Sequence, residues 1–376
     1  MSYSFSKSLE HIRPSASMAK GLGGTPVKFN LAIGSPDVPL PSGMDRLLEQ
    51  FKQQPTLEYL PTQGTLKARK SLLNNLIKPT NPAVSEDNLV LCSGAKYGIY
   101  LSLKTITNPG DTVMLLQPYW LSYPDICSSL YLNFQSFPFD FHSNSYNLLL
   151  LKEQLLQTKA KVLMINNPNN PSGVVLSKAF LADLCEFCQL HSIWIVMDEV
   201  YKDLVFPNVE IDHDFLGLDG IIRVGSVSKS LAMPGLRLGY VLGHPDFVKK
   251  FVLINQHIST CINAFSSFVA ENLQELNLDS FIQANKILYQ KRFLKAQQVL
   301  NSLGYQVIPS SSTFYLFCQI PSSKFSSISD AENYFDSIGI RLTTGGHYGS
   351  QFNNYLRICL TFDDSLWSEL EPYFRK

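Results

Sequence analysis

Apolar residues in this chain fall in short blocks separated by stretches of helical spacing. Leu89 to Cys92, Thr112 to Leu116, Val162 to Ile165, Ile193 to Met197 and Ile221 to Val224 are each a few residues long, rich in aliphatic side chains and closed by turn-forming residues. Blocks of that kind read as strands buried on both faces. Tyr97 to Ile106 and Lys178 to Leu190 carry apolar positions at helical spacing. Strand and helix alternate from about Leu89 to Gly243, which predicts right-handed βαβ crossovers, a mostly parallel sheet and an α/β fold. One connection breaks the rule. Ile221 to Val224 and Leu238 to Leu242 are separated by the thirteen residues Gly225 to Arg237, marginal for a crossover helix, so one strand here is expected to be antiparallel. From about Leu278 a long helical pattern, Phe281 to Leu303, leads to short strands at Tyr305 to Ile308, Thr313 to Cys318 and Tyr355 to Thr361, a second region of α+β character.

The 376 residues are 45% hydrophobic, enough for a large core and about two domains. Thirty-one basic residues balance 31 acidic ones, which leaves no electrostatic footprint for nucleic acid or an anionic membrane. Met1 to Lys20 is polar, and no segment approaches the roughly 18 uninterrupted apolar residues of a membrane helix, so a cytoplasmic location is expected. Seven cysteines, an odd number, fit reduced thiols. Cys185 and Cys188 have redox-motif spacing but fall late in a helical pattern, where a packing role is the simpler reading. Gly21-Leu22-Gly23-Gly24 lacks the preceding strand of a dinucleotide loop and reads as a linker. No histidine spacing suggests a metal site.

Candidate chemistry centres on Lys229, in Gly225-Ser226-Val227-Ser228-Lys229-Ser230-Leu231-Ala232-Met233-Pro234-Gly235-Leu236-Arg237-Leu238-Gly239. An amine flanked by hydroxyls, with an arginine eight positions on, suits a covalently held phosphorylated aldehyde: Lys229 would form a Schiff base with pyridoxal phosphate, and Ser226, Ser228 and Arg237 would supply phosphate donors. Alone, the motif leaves a solvated loop lysine as the alternative reading. Asp198 ends a buried strand at the edge where ligands of open α/β sheets bind, and its carboxylate could pair with a protonated pyridine nitrogen or cap a following helix. Tyr201, a helical turn later, would point the same way. Asn166-Asn167-Pro168-Asn169-Asn170-Pro171 follows another strand, and its prolines fix an extended turn that places Asn170 at the same edge. Ser93-Gly94-Ala95-Lys96 opens a helix, a phosphate-binding position. Trp120, after the strand Thr112 to Leu116, could cover a flat ring or simply pack in the core, and Arg357, a cation inside an apolar strand, calls for a carboxylate partner.

In this order the blocks resemble the fold type I pyridoxal-phosphate aminotransferases, in the class I group that includes bacterial aspartate aminotransferases. The resemblance runs nearly the whole chain, through Ile12 to Ser17, Gly34-Ser35-Pro36-Asp37, Tyr59 to Gly64, Ser93 to Lys96, Pro118-Tyr119-Trp120, Asn170 to Gly173, Asp198 to Tyr201, Ser226 to Gly239 and Tyr355-Leu356-Arg357. It implies a large α/β domain over residues 46–278 with a mostly parallel, seven-stranded type of sheet. Residues 1–45 and 279–376 would form the small α+β domain, with shared active sites at a homodimer interface. By the same resemblance Lys229, Asp198 and Tyr201 are catalytic, and Gly94, Ala95, Lys96, Trp120, Asn170, Ser226, Ser228, Arg237 and Tyr59 hold the cofactor. Gly34, Trp120, Asn170 and Arg357 contact the substrate, and Lys104 and Ser17 fall where a distal carboxylate is bound, although both also suit an exposed surface.

The implied reaction moves the amino group of an L-amino acid, aspartate by resemblance, to a 2-oxo acid such as 2-oxoglutarate. An aromatic or broad-specificity aminotransferase, and a pyridoxal-phosphate lyase or decarboxylase, stand as alternatives. Three segments depart from the family pattern: Cys261-Ile262-Asn263-Ala264-Phe265, where a neighbouring subunit's phosphate is usually contacted, the loop Thr343 to Gly349 near Arg357, and Ser35, where glutamate is common.

Overall fold

The computed structural model describes every residue except 1–5, 11, 13–26, 55–56, 142, 144, 215–216, 363–364 and 376. In chain order its strands are β1 (Phe29–Asn30), β2 (Leu89–Cys92), β3 (Thr112–Leu116), β4 (Asn133–Phe137), β5 (Ala160–Asn166), β6 (Trp194–Asp198), β7 (Ile221–Ser226), β8 (Gly239–Leu242), β9 (Gln306–Val307), β10 (Tyr315–Gln319), β11 (Ile340–Arg341), β12 (Thr343–Thr344) and β13 (Tyr355–Cys359). Its helices are α1 (Met44–Phe51), α2 (Leu66–Leu72), α3 (Ala95–Ile106), α4 (Tyr123–Ser129), α5 (Leu148–Gln157), α6 (Lys178–Leu190), α7 (Val227–Ser230), α8 (Pro245–Ile258), α9 (Ala264–Glu271), α10 (Leu278–Ser302), α11 (Ile328–Ser337) and α12 (Leu366–Phe374).

Seven strands form one sheet in the order β2-β8-β7-β6-β5-β3-β4. Side chains alternate across it. Val113, Leu115, Val162, Met164, Val196 and Val224 pack on one face with residues of α3 and α8, while Met114, Leu116, Leu163, Ile165, Ile195 and Met197 pack on the other with α5 and α6. Both faces are therefore covered, which is why these strands read as continuous apolar runs. Neighbours β3 to β7 run parallel, and β8 runs antiparallel to both β7 and β2. The short β7–β8 connection, occupied by α7 and the turn Pro234–Leu236, has no room for a crossover helix.

The long helix α10 leads into an antiparallel sheet of order β12-β13-β10-β9. The N-terminal segment returns to this region. Strand β1 pairs in parallel with β11, and Leu31 donates to Arg341 O (2.8 Å) while its own carbonyl accepts from Cys359 N (2.8 Å). That pairing carries Ile33 and Gly34 to the mouth of the cleft between the two sheets. No helix among the described residues is long and apolar enough to cross a membrane.

Candidate functional site

Three adjacent parallel strands end in polar residues, Asn166 on β5, Asp198 on β6 and Ser226 on β7. All three line one cavity of about 460 Å³ at the C-terminal edge of the sheet, where open α/β sheets bind ligands. Lys229 enters it from α7, Lys96 and Ala95 from the start of α3, Trp120 from the loop after β3, Asn170 from the turn after β5, Tyr201 from the turn after β6, Arg357 from β13 and Gly34 from the N-terminal segment.

Burial sets the electrostatics. Asp198 is buried, and its carboxyl is pushed up to about 6, chiefly by desolvation. It accepts from the Tyr123 hydroxyl at 2.7 Å and from Val200 N at 3.2 Å; both donors are neutral, and among the described residues no ion pair neutralises it. The Val200 contact belongs to a tight turn, and only the short 3₁₀ segment Lys202–Leu204 follows, so Asp198 caps no regular helix and Tyr201 does not stand one α-turn along. Lys229 is drawn down to about 8, first by burial and further by the nearby cations Arg357 and Arg237. Its amine donates to the carbonyl of Gly34. An amine that sheds its proton this readily is a nucleophile near neutral pH.

The corner of the cavity where β8 meets the start of α3 is built from close backbone approach. Gly94 has φ of +87°, and a Cβ there would collide with the guanidinium of Arg237. A Cβ on Gly239 would lie 2.6 Å from the Gly94 carbonyl carbon, so both glycines are needed for β8 to meet the start of α3. Arg237, itself at φ 55°, donates to Ser93 O at 3.2 Å and Pro234 O at 3.0 Å. Helix α3 has no side-chain cap at its N-terminus, which leaves its first N–H groups facing this corner together with Ser226 and Ser228.

Arg357 is buried on β13, opposite Phe317 of β10 and Thr343 of β12. It donates to Asn170 Oδ1 (3.1 Å), Thr343 Oγ1 (3.3 Å) and the carbonyl of Ala32, while its Nε is buried without a partner. An unsatisfied guanidinium N–H in a cavity wall suits a carboxylate ligand.

A pyridoxal phosphate group fits these residues. The phosphate corner is a cradle that any Cβ would fill, Asp198 is a buried acid short of a cation, and Lys229 is the adjacent amine.

Two sequence-derived candidates stand away from the cavity, and a third falls outside the described residues. Lys104 is exposed in the last turn of α3 and does not line the cavity. Tyr59 is 88% exposed and lines no wall of the cavity. Ser17 lies outside the described residues. Conversely, Tyr123 beneath Asp198 and Tyr315 on β10 are at the site and escaped the sequence reading. A tyrosine inside an apolar strand, needing a partner for its hydroxyl, was the available signal for Tyr315.

A large sheet with one antiparallel strand, a lysine on α7 just beyond β7 and an aspartate at the end of β6 make an arrangement suited to a pyridoxal-phosphate-dependent enzyme. The chain belongs to the family "Aminotransferase class I and II", whose profile matches residues 26–370, and it is a pyridoxal-phosphate-dependent aminotransferase. It is similar to an aspartate aminotransferase of Thermotoga maritima, 29% identical over 78% of this chain and 77% of that one. It is 25% identical to aromatic-amino-acid aminotransferase 2 of Thermococcus litoralis over 93% and 92% of the two chains. The solved structure of Thermus thermophilus aspartate aminotransferase with maleate shares the fold, with a TM-score of 0.89 over 100% of this chain and 99% of that one at 20% identity.

Proposed function

We propose that this aminotransferase takes an acidic L-amino acid, aspartate foremost, and passes its amino group to a 2-oxo acid such as 2-oxoglutarate. The observation that carries the reading is the supply of cations in the cavity. Arg237 is committed to the phosphate corner and Arg357 to the α-carboxylate, which leaves Lys96, whose ammonium sits 4.9 Å over the Trp120 ring, to meet a second carboxylate. Burial pushes the Lys96 amine down from the ordinary lysine value, as expected for a cation facing a cleft. Lys96 thus takes the part that the sequence alone suggested for Lys104.

When bound, the cofactor supplies an electron sink for the charge left at the substrate's α-carbon. Ser226, Ser228, Arg237 and the N-terminus of α3 would hold its phosphate, Asp198 would keep a proton on its ring nitrogen, and Asn170 and Tyr201 would bond its ring oxygen. Lys229 would hold it through its amine and would carry the substrate's α-proton. Arg357 binds the α-carboxylate and fixes which bond faces Lys229. The shared site of a homodimer, implied by the family, would use the exposed Tyr59.

The apolar wall formed by Ile33, Ile99, Leu121 and the indole of Trp120 favours a second reading, in which aromatic amino acids are also accepted. Steady-state kinetics of Lys96→Met separate the two. With an acidic substrate, KM for aspartate rises about tenfold or more while phenylalanine stays within about twofold, the loss of one charge-assisted pair, and Lys104→Ala leaves both unchanged. Equal losses for aspartate and phenylalanine in Lys96→Met would make the broad-specificity reading the correct one.

A further inference from the structure

Tyr315 opens β10 and is 2% exposed. Its ring lies beneath the guanidinium of Arg357, 4.3 Å from centroid to Cζ. Its hydroxyl is 3.0 Å from that of Tyr201, and the two rings meet edge to face at 5.8 Å. The same hydroxyl rests against Gly34, where an added Cβ would collide with it, and the Gly34 carbonyl accepts from Lys229. One side chain therefore touches the carboxylate-binding arginine, the ring-oxygen tyrosine and the backbone that holds the reactive amine.

The proton count fixes a direction for the pair. A tyrosine hydroxyl has one proton to donate. If Tyr201 gives its proton to an acceptor in the cavity, its oxygen is left to accept, and the hydroxyl that reaches it is that of Tyr315. A donor that is itself receiving a hydrogen bond is polarised and donates more strongly. The other titratable groups around the two tyrosines are Arg357 and Cys359 on β13, Asp198 on β6, Tyr348 in the loop after β12 and, across Gly34, Lys229 on α7. Arg357 approaches the ring of Tyr315 and leaves its hydroxyl free to serve Tyr201.

We propose that Tyr315 is a positioning residue that joins the two halves of the site: its ring seats Arg357 for the substrate carboxylate, and its hydroxyl strengthens Tyr201 as the donor to the cofactor's ring oxygen. The inference rests on the roles given above to Tyr201 and Arg357. Its two parts separate by substitution. Tyr315→Phe keeps the ring and removes the hydroxyl, while Tyr315→Leu removes both.

The test is a spectrophotometric pH titration of the substrate-free holoenzyme together with steady-state kinetics. A weaker donor at the ring oxygen raises the pH at which the visible absorbance changes form, so Tyr315→Phe should raise that midpoint by about half a unit, the scale of one neutral hydrogen bond. Its KM for aspartate and for phenylalanine should stay within about twofold, because the platform under Arg357 survives. Tyr315→Leu should raise KM for both substrates alike, by about fivefold or more, as the stacked cation loses its seat. Tyr201→Phe is the control. If it leaves the midpoint unmoved, the role given to Tyr201 falls and the link falls with it. If Tyr201→Phe moves the midpoint and Tyr315→Phe does not, the link alone is overturned. An unchanged KM in Tyr315→Leu likewise overturns the seating of Arg357.

Discussion

Burying Asp198 has a cost in stability that depends on pH. Its carboxyl is raised from an ordinary 3.8 to about 6 by burial, so without a cofactor the folded chain holds this proton at a pH where the unfolded chain has released it. The sign follows. Apoprotein stability associated with Asp198 is fully present below about pH 4 and is lost as pH rises through about 6, an upper limit of roughly 3 kcal/mol. Lys229 acts over a different window: its value, lowered from 10.5 to about 8, makes the folded chain lose its proton first, so stability rises with pH between about 8 and 10.5. Asp198→Asn should therefore raise the melting temperature of the apoprotein at pH 7 and flatten its dependence between pH 4 and 6, while cutting turnover of the holoenzyme by about a hundredfold, the scale of one preorganised electrostatic partner. Calorimetry across pH and turnover assays test both. A variant no more stable than the parent at pH 7, or one with near-normal turnover, would return Asp198 to a turn-closing role. The adjacent Glu199 behaves oppositely. Burial pushes its carboxyl up, but Arg223, Lys202 and His213 outweigh burial and hold it low, so it stays charged and satisfied below the sheet edge.

Elements that the sequence made legible were those in which burial on both faces leaves an unbroken apolar run, as in β2, β3, β5, β6 and β7. The antiparallel β8 was legible for a different reason, the length of one connection. Strand β4 was not, because Asn133-Phe134-Gln135-Ser136-Phe137 is a largely exposed edge strand paired only with β3. Residues of the site followed the same division. Asp198 stands at a strand end and Lys229 and Asn170 within four residues of one, where the chemistry is local in sequence, whereas Tyr315 and Tyr123 matter through contacts with β6 and β13 that spacing does not reveal. Lys104 and Lys96 share one helix, and only the cavity wall tells them apart. The junction of β8 with α3 carries a prediction of its own. Gly94→Ala forces a Cβ into the guanidinium of Arg237 at a φ of +87°. It should weaken cofactor affinity by about tenfold or more with the fold retained, since the strain of a side chain at positive φ is on the order of 1–3 kcal/mol and falls at the phosphate corner. Equilibrium cofactor titration with circular dichroism checks it; unchanged affinity would mean that Arg237 does not serve the phosphate.

At the scale of the molecule, the cavity has walls from three directions: the ends of β5 to β7, the strand β13, and an N-terminal segment pinned by β1–β11 pairing and by the Arg292–Asp37 ion pair at 2.8 Å. A fourth direction stays open in one chain. Leu57 is 70% exposed and Tyr59 88% exposed, and Ile33 at the cavity mouth is 42% exposed. In the homodimer proposed above, Tyr59 would serve the neighbouring site's phosphate. If so, cofactor binding and association are coupled, and each must strengthen the other by the same factor. The expected outcome is that wild-type holoenzyme, diluted through the range where sedimentation shows dimers giving way to monomers, loses cofactor affinity by about tenfold, the scale of a hydrogen bond to a charged group. Tyr59→Phe should start with that lower affinity and show no further loss attributable to the hydroxyl on dilution. A monomer that binds the cofactor as tightly as the concentrated protein, or a Tyr59→Phe variant with wild-type affinity, would place the whole phosphate site within one chain and leave the exposed tyrosine without a part in it.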